Sequence, residues 1–422
     1  MNAPAPLSPF SVHGWSPETL ADPYPIYRLY REREPVHRGA SPDPDGPTTW
    51  YLFRHADVVE VLTSPLFDRG PTTRSGPLVP DGHPNLRALV DNWLVFLDPP
   101  QHTRLRALLN KEFTPRIIAA MRPRIADVAQ RLVDRMRGRD EVDLVQAFAA
   151  PFPIMVIADL VGVRPEDQEW FREQVLLLRE GIASRTGRRT DGYTVAEAAA
   201  TELVTHFRRE IVRRRKGDGV RHDLLALLVD AQRRGEPLTD DALVGTAVHL
   251  LIAGHETTTN LISKSILALH RHLELADGLR GRPDVVSAAI DELVRYDPPV
   301  QMITRWARPG ARVAGLRAHS GDKVVLVLGS ACRDPDRFPD PDQLQPDRAA
   351  SRHSAFGAGI HYCLGTPLAR LEAEIALNLL LHTLRLDRPV RVLGYAEDIV
   401  FHGPTSVLVR THEAEPVRGG TP

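Results

Sequence analysis

The stretch "FGAGIHYCLG", residues 356 to 365, sets one of the chain's two cysteines, Cys363, behind a glycine-rich turn that His361 interrupts. The text that follows, "LGTPLARLEAEIALNLLL", has helical spacing and an early Pro367, so a helix is expected to start near Leu364. A thiol at such a junction meets free backbone N–H groups and the positive end of a helix dipole, and both favour thiolate. A thiolate backed by amide donors suits the axial position of an iron ligand. A buried structural cysteine is an equal alternative from these ten residues alone.

Two other motifs invite readings that fail. The glycines of "GAGIHY" lack the third glycine of a dinucleotide loop, because Tyr362 stands there, and "AASRHSAF" before them is no buried strand. In "HETTT", residues 255 to 259, Thr259 occupies the place of the second histidine of a zinc-protease helix. Neither a nucleotide loop nor a zinc site remains.

With 422 residues, 42% of them hydrophobic, the chain can bury a large core. Basic and acidic residues nearly cancel, 53 against 54, so no overall field draws it to nucleic acid or to an anionic membrane. Two cysteines without CxxC spacing argue against a disulfide framework and predict a reducing, cytoplasmic setting. The opening "MNAPAPLSPFSVHGW" has neither a basic nor an apolar signal region, and the longest apolar runs are broken well short of a bilayer span. A soluble protein is expected.

Helical periodicity runs through 117 to 137, 195 to 214, 239 to 271, 286 to 296 and 364 to 382. Strand-like runs are fewer: "TTWYLFR" at 48 to 54, "KVVLVLGS" at 323 to 330, and short pieces near 312 and 405 to 410. The fold class is mostly α with a smaller β-rich region. Polar turns at 40 to 47, 70 to 83, 216 to 221 and 333 to 350 resemble no long linker, so residues 1 to 422 read as one domain, with 1 to 16 and 413 to 422 extended or frayed.

Against that frame "FGAGIHYCLG" resembles the haem-binding signature of cytochromes P450, with Phe356, Gly357, Gly359, His361, Cys363 and Gly365 in place. Other segments, in order from about 98 to 365, resemble the same family. In "DELVR", Glu292 and Arg295 resemble its Glu-x-x-Arg pair, and Arg348 in "LQPDR" the arginine that completes a buried structural network. "AGHETT", Ala253 to Thr258, resembles the distal helix above the haem. "DPPQHTRLR" and "TRWA" resemble the segments whose His102, Arg106 and Arg305 hold haem propionates. "ACRDP" departs from the family, with Cys332 where Asn is common.

The resemblance implies the P450 fold, haem b as cofactor with Cys363 as its metal ligand, and oxidation driven by dioxygen and two electrons. With no flavin or iron–sulfur segment in sight, those electrons are expected from ferredoxin and ferredoxin reductase. Arg104, Lys111, Arg116 and Arg352, near the proximal segments, are the candidate contacts. Thr257 is the catalytic candidate, since a hydroxyl bonding back to the preceding turn opens room for dioxygen and water, and Glu256 beside it could relay protons. Mid-helix threonines more often only bond back.

His249 stands one turn before Ala253, and positions 249, 253 and 257 share a helix face. An imidazole there needs a partner, which a substrate N–H or O–H could supply; a core histidine satisfied by a carbonyl is the plain alternative.

More loosely, "NWLVFLDPP", "VHLLIAGHETTTN", "GIHYCLG" and "VFHGPT" are similar to the P450s of indolocarbazole biosynthesis, which oxidise chromopyrrolic acid, a bis-indole dicarboxylate, by aryl–aryl coupling. That implies an aromatic substrate, with Arg69, Arg74, Gln301, Ile303, Phe401 and His402 as contact candidates by position. A P450 hydroxylase of a macrolide, terpenoid or peptide intermediate is the alternative. A haem sensor without turnover is disfavoured by Thr257 and its neighbouring acid. A cytoplasmic monomer is expected, with no nucleic-acid or membrane partner.

Overall fold

In a computed structural model, the protein is described over residues 7–12, 14–39, 48–70, 77–185, 192–217, 223–348 and 352–412. Its centre is the helix Asp240–Arg271, 32 residues long. The sequence ends that helix cleanly. Thr239 caps its start by accepting the Ala242 amide (3.1 Å), Asp240 and Asp241 complement the dipole there, and His270 and Arg271 do so at the far end. Helices Pro151–Val161 and Thr366–Thr383 pack against it from two sides. Most of its length is therefore buried, and an exposed residue in mid-helix needs an explanation.

The strands, in chain order, are β1 (Val36–Arg38), β2 (Thr49–Leu52), β3 (Phe67–Asp68), β4 (Glu141–Asp143), β5 (Met302–Ala307), β6 (Arg312–Val313), β7 (Leu316–Arg317), β8 (Lys323–Val327), β9 (Arg391–Tyr395) and β10 (Pro404–Arg410). They form a five-stranded sheet in the order β1-β2-β8-β5-β3, a three-stranded sheet β4-β10-β9, and a two-stranded ribbon β6-β7. In the main sheet β2 runs parallel to β8, while β5 pairs antiparallel with β8, setting Ile303 opposite Leu326 and Arg305 opposite Val324.

Most of the expected helices fall where periodicity placed them. The run 117 to 137, read as one helix, is two, Pro115–Ala120 and Arg122–Met136. Pro123 lies in the first turn of the second, where its missing N–H costs nothing but would have cost a bond inside a continuous helix. "KVVLVLGS" is strand only to Val327, after which Leu328–Ala331 turns helical.

The beginning of the chain is extended but not frayed from Leu7 on. Phe10 is buried against Tyr30, Tyr51 and Phe53, its amide donates to His37 Nε2 (3.0 Å), and the Leu7 amide donates to Glu34 (3.0 Å). Residues 413 to 422 lie outside the described ones. Among the described residues no helix is long and apolar enough to cross a membrane.

Candidate active site

Cys363 sits at the end of a tight turn that the backbone makes only because of two glycines. Gly357 and Gly359 have φ of +73° and +68°, and a Cβ on Gly359 would lie 2.4 Å from the Leu62 carbonyl. The Cys363 amide closes the turn by donating to Phe356 O (2.9 Å), and the Thr366 hydroxyl donates to Cys363 O (3.0 Å). Helix Thr366–Thr383 starts immediately afterwards, with Pro367 in its first turn.

The Cys363 side chain is accessible to solvent. Protein surrounds the rest of it, however, and burial pushes the thiol pKa up, while hydrogen bonds from Thr366 and Gly365 and the charge of Arg106 pull it down. Burial wins. The backbone donors do pull toward thiolate, the direction expected from the sequence, and a bound cation is what would complete the charge balance.

Beside this turn a group of cationic and imidazole side chains converges. His102 and His361 face each other with ring centres 4.1 Å apart, and both nitrogens of the buried His102 lack hydrogen-bond partners. Arg106 donates to Tyr362 O (2.6 Å), while Arg69 and Arg305 both donate to Thr304 O, at 2.5 and 3.0 Å. Burial, followed by the fields of His102, Arg305, Arg69 and Arg106, lowers the His361 pKa to about 2. Burial also lowers Arg305 to about 10, with Asp98 opposing the shift. Asp98 already accepts the amides of Arg69 and Gly70, each at 2.8 Å. Cationic side chains concentrated around so little negative charge, beside the two unpartnered His102 nitrogens, suit the binding of carboxylates.

On the opposite side, the long helix exposes Ala253 in its middle and half-exposes Thr257. The Thr257 hydroxyl donates to Ala253 O (2.8 Å), yet the helix continues without interruption, so the expected loosening is no break. Glu256 is buried. His249, one turn before Ala253, is 8% exposed, stacks on Trp93 at 5.6 Å, and has no partner at Nδ1. Burial and then the Arg69 charge lower its pKa to about 4, so it is neutral at neutral pH. Trp93 stacks in turn on Phe96, and the Arg69 guanidinium lies over Phe96.

Haem fits this arrangement. The accessible thiol, the carboxylate receptor with its orphaned His102 nitrogens, and the exposed strip of an otherwise buried helix answer to the iron, the propionates and the distal face. Among the described residues, no group of three or more His, Cys, Asp or Glu could hold a separate metal ion.

The buried network expected nearby is present. Arg295 clasps Glu292 through two bonds (2.7 and 2.8 Å), Arg348 adds a third (3.1 Å), and Arg295 also donates to the carbonyls of Cys332 and Pro341. Ile303 and Phe401 are half-buried, Phe401 in a bridge to Val300. Gln301 and His402 are corrected by the structure: they are not at a pocket mouth. Both are buried, Gln301 donating to Pro298 O (2.7 Å) and His402 Nε2 meeting Leu20 O (2.5 Å). Arg69 belongs as much to the carboxylate receptor as to the His249 side. Arg74 lies outside the described residues.

Sequence reading missed Trp93, Phe96 and Asp98, although "NWLVFLDPP" was on view. It also missed Glu372, a buried acid bonded to Thr258 and pushed well above the usual carboxylate pKa by burial. A glutamate flanked by the apolar Leu371 and Ala373 in "LEAEIALNLLL" was the available signal.

The family profile described as Cytochrome P450 matches residues 174–281 and 283–393. Mycinamicin IV hydroxylase/epoxidase of Micromonospora griseorubida is 34% identical over 409 residues, covering 95% of this chain and 97% of that protein. The structure of P450BioI in complex with an acyl carrier protein carrying hexadec-9Z-enoic acid aligns with a TM-score of 0.83 and 31% identity over 94% of this chain and all of that one. CxnD, a P450 for C–S bond formation in chuangxinmycin biosynthesis, aligns with a TM-score of 0.80 and 29% identity, covering 94% of this chain and 96% of that one.

Proposed function

Because the chain belongs to the cytochrome P450 family, its cofactor is haem b, and we propose that Cys363 ligates the iron. It is an oxidoreductase of the P450 monooxygenase type. Bound haem supplies the activation of dioxygen with two electrons from a donor. In this reading His102, Arg106, Arg305, His361 and Arg69 hold the propionates through the receptor described above. Thr257 offers a hydroxyl beside Ala253, and Glu256 passes protons toward it.

The substrate we propose is an aromatic, N–H-bearing intermediate of secondary metabolism, on the pattern of chromopyrrolic acid, which the enzyme couples oxidatively. The observation that carries this is His249: neutral, unpartnered at Nδ1, one turn from Ala253 and stacked on an indole. Oxidising an indole to form a new bond removes a proton along with each electron, and a neutral imidazole is the group to accept it. CxnD gives a precedent within the fold for bond formation.

Absorption titration of the ferric protein with chromopyrrolic acid tests this, with the CO complex of the reduced protein recorded alongside. A saturable Soret shift supports the reading, and His249→Phe should then lower turnover about 10²-fold or more without altering the CO spectrum. A thiolate-type CO spectrum without any response to the compound favours the second reading, hydroxylation of another scaffold, which the similarity to the mycinamicin enzyme supports.

A further inference from the structure

Behind the segment that bears Val300 and Phe401 lies a buried ion pair that the reading above does not use. Lys264 is 2% exposed; its Nζ pairs with Asp297 Oδ1 (2.7 Å) and donates to Pro298 O (2.9 Å). Asp297 also accepts the Tyr24 hydroxyl (2.6 Å). Burial pushes Lys264 down in pKa against the pull of Asp297; Asp297, which burial alone would raise, is held low by Lys264 first and then His402.

Two short segments meet here. Val300 bridges Phe401, the Gln301 amide donates to Val400 O (2.8 Å), and the His402 amide donates to Pro299 O (3.0 Å), so 299–301 and 400–402 are tied together. Lys264 holds the first segment. Asn260, one turn earlier on the same helix, abuts the second: Gly403 approaches it so closely that a Cβ there would sit 2.1 Å from Asn260 Oδ1.

Lys264 also follows Thr257 by seven residues, two helical turns, and so continues the stripe that Ala253 and Thr257 begin. The helix face that looks at the haem site is thus the face that grips the wall beside it. An apolar side chain of similar length would fill the space without the desolvation cost of a buried ammonium. What it could not do is fix the direction and distance of the contact through hydrogen bonds to Asp297 and Pro298.

We propose that the Lys264–Asp297 pair is a positioning device that sets the Val300–Phe401 wall over the haem and thereby decides which ligand shapes the distal side accepts. The inference rests on the haem site assigned above. It is tested by comparing the affinities of imidazole and 4-phenylimidazole for the ferric protein, since both reach the iron but only the second carries a ring that must pack against the wall. Lys264→Met and Asp297→Asn should weaken 4-phenylimidazole relative to imidazole by about fivefold or more. Phe401→Ala should do the same alone, and combining it with Asp297→Asn should add little, because the two changes act on one contact.

A wild-type ratio in Asp297→Asn, or shifts that simply add in the double variant, would overturn the proposal. Should Lys264→Met fail to fold, Asp297→Asn keeps the side-chain shape but removes the charge that holds the Lys264 ammonium, and so remains decisive. A fall in melting temperature with an unchanged ratio marks a purely structural pair and also overturns it. Absence of a thiolate-type CO spectrum in the wild type would instead strike the Cys363 reading.

Discussion

Gly359 and Gly365 look equivalent in "FGAGIHYCLG", and the backbone separates them. Gly359 needs its positive φ and its missing Cβ, whereas Gly365 has φ near −80° and a Cβ there would sit 4.0 Å from Cys363 Sγ, an ordinary contact. Gly359→Ala should therefore cost on the order of 1–3 kcal/mol and lower haem retention, and Gly365→Ala far less; urea unfolding and the haem-to-protein absorbance ratio measure both. His249 makes a different prediction, about pH. Its folded pKa of about 4 lies below the ordinary value near 6.5, so between those limits the unfolded chain binds more protons. Stability is whole above about pH 6.5 and is lost progressively as the pH falls toward about 4. His249→Phe should reduce the loss between about pH 7 and about pH 5 by on the order of 2 kcal/mol, read from urea midpoints. The residue types of the site were legible from motif text; its burial, and hence the depressed pKa, was not, because Trp93 and Arg69 reach His249 from distant parts of the chain.

Among the elements, helix Pro283–Tyr296 fixes the stretch 339–348 that precedes the Cys363 turn in the chain. Glu292 accepts Arg295, Arg348 and the Gln345 amide, while Arg348 itself donates to Pro339, Asp340 and Gln343 carbonyls, so one carboxylate organises the whole stretch 339–348. Glu292→Gln leaves Arg295, 1% exposed, without its counter-charge and should cost roughly 3–5 kcal/mol. Haem-free protein should accumulate on expression, and the CO spectrum of any remaining holoprotein should be normal, since Glu292 bonds only Arg295, Gln345 and Arg348, away from the Cys363 turn. Long amphipathic helices of this kind were readable from spacing alone. β5 was not: "MITRWA" has no clean alternation because β5 has neighbours on both edges and both faces are covered, so Arg305 was placed by likeness to a family segment and not by pattern. The break at Met121 shows the opposite failure, in which periodicity ran on across a proline that the backbone could not ignore.

At the scale of the whole molecule the charge balance is what misleads. A formal net charge of −1 excludes a global field, yet the fold leaves Arg104, Lys111, Arg116 and Arg352 all exposed, on segments flanking the Cys363 turn, where Ile360 and Tyr362 are exposed apolar side chains. A cationic rim around a small apolar centre suits an acidic electron donor, with the charges steering the encounter and the apolar residues making the contact. Steering is screened within about 10 Å at 0.1 M salt, so the rate of reduction by an acidic ferredoxin should fall steeply as salt is raised from the millimolar range. Reversing Lys111 and Arg116 to glutamate should slow that reduction by about tenfold or more at low salt while leaving the ligand-binding spectra unchanged. Stopped-flow reduction under CO reads both effects. A rate indifferent to salt and to the reversal would move the electron entry point off this face, because no other arrangement of exposed charge could keep an electrostatically steered encounter blind to both.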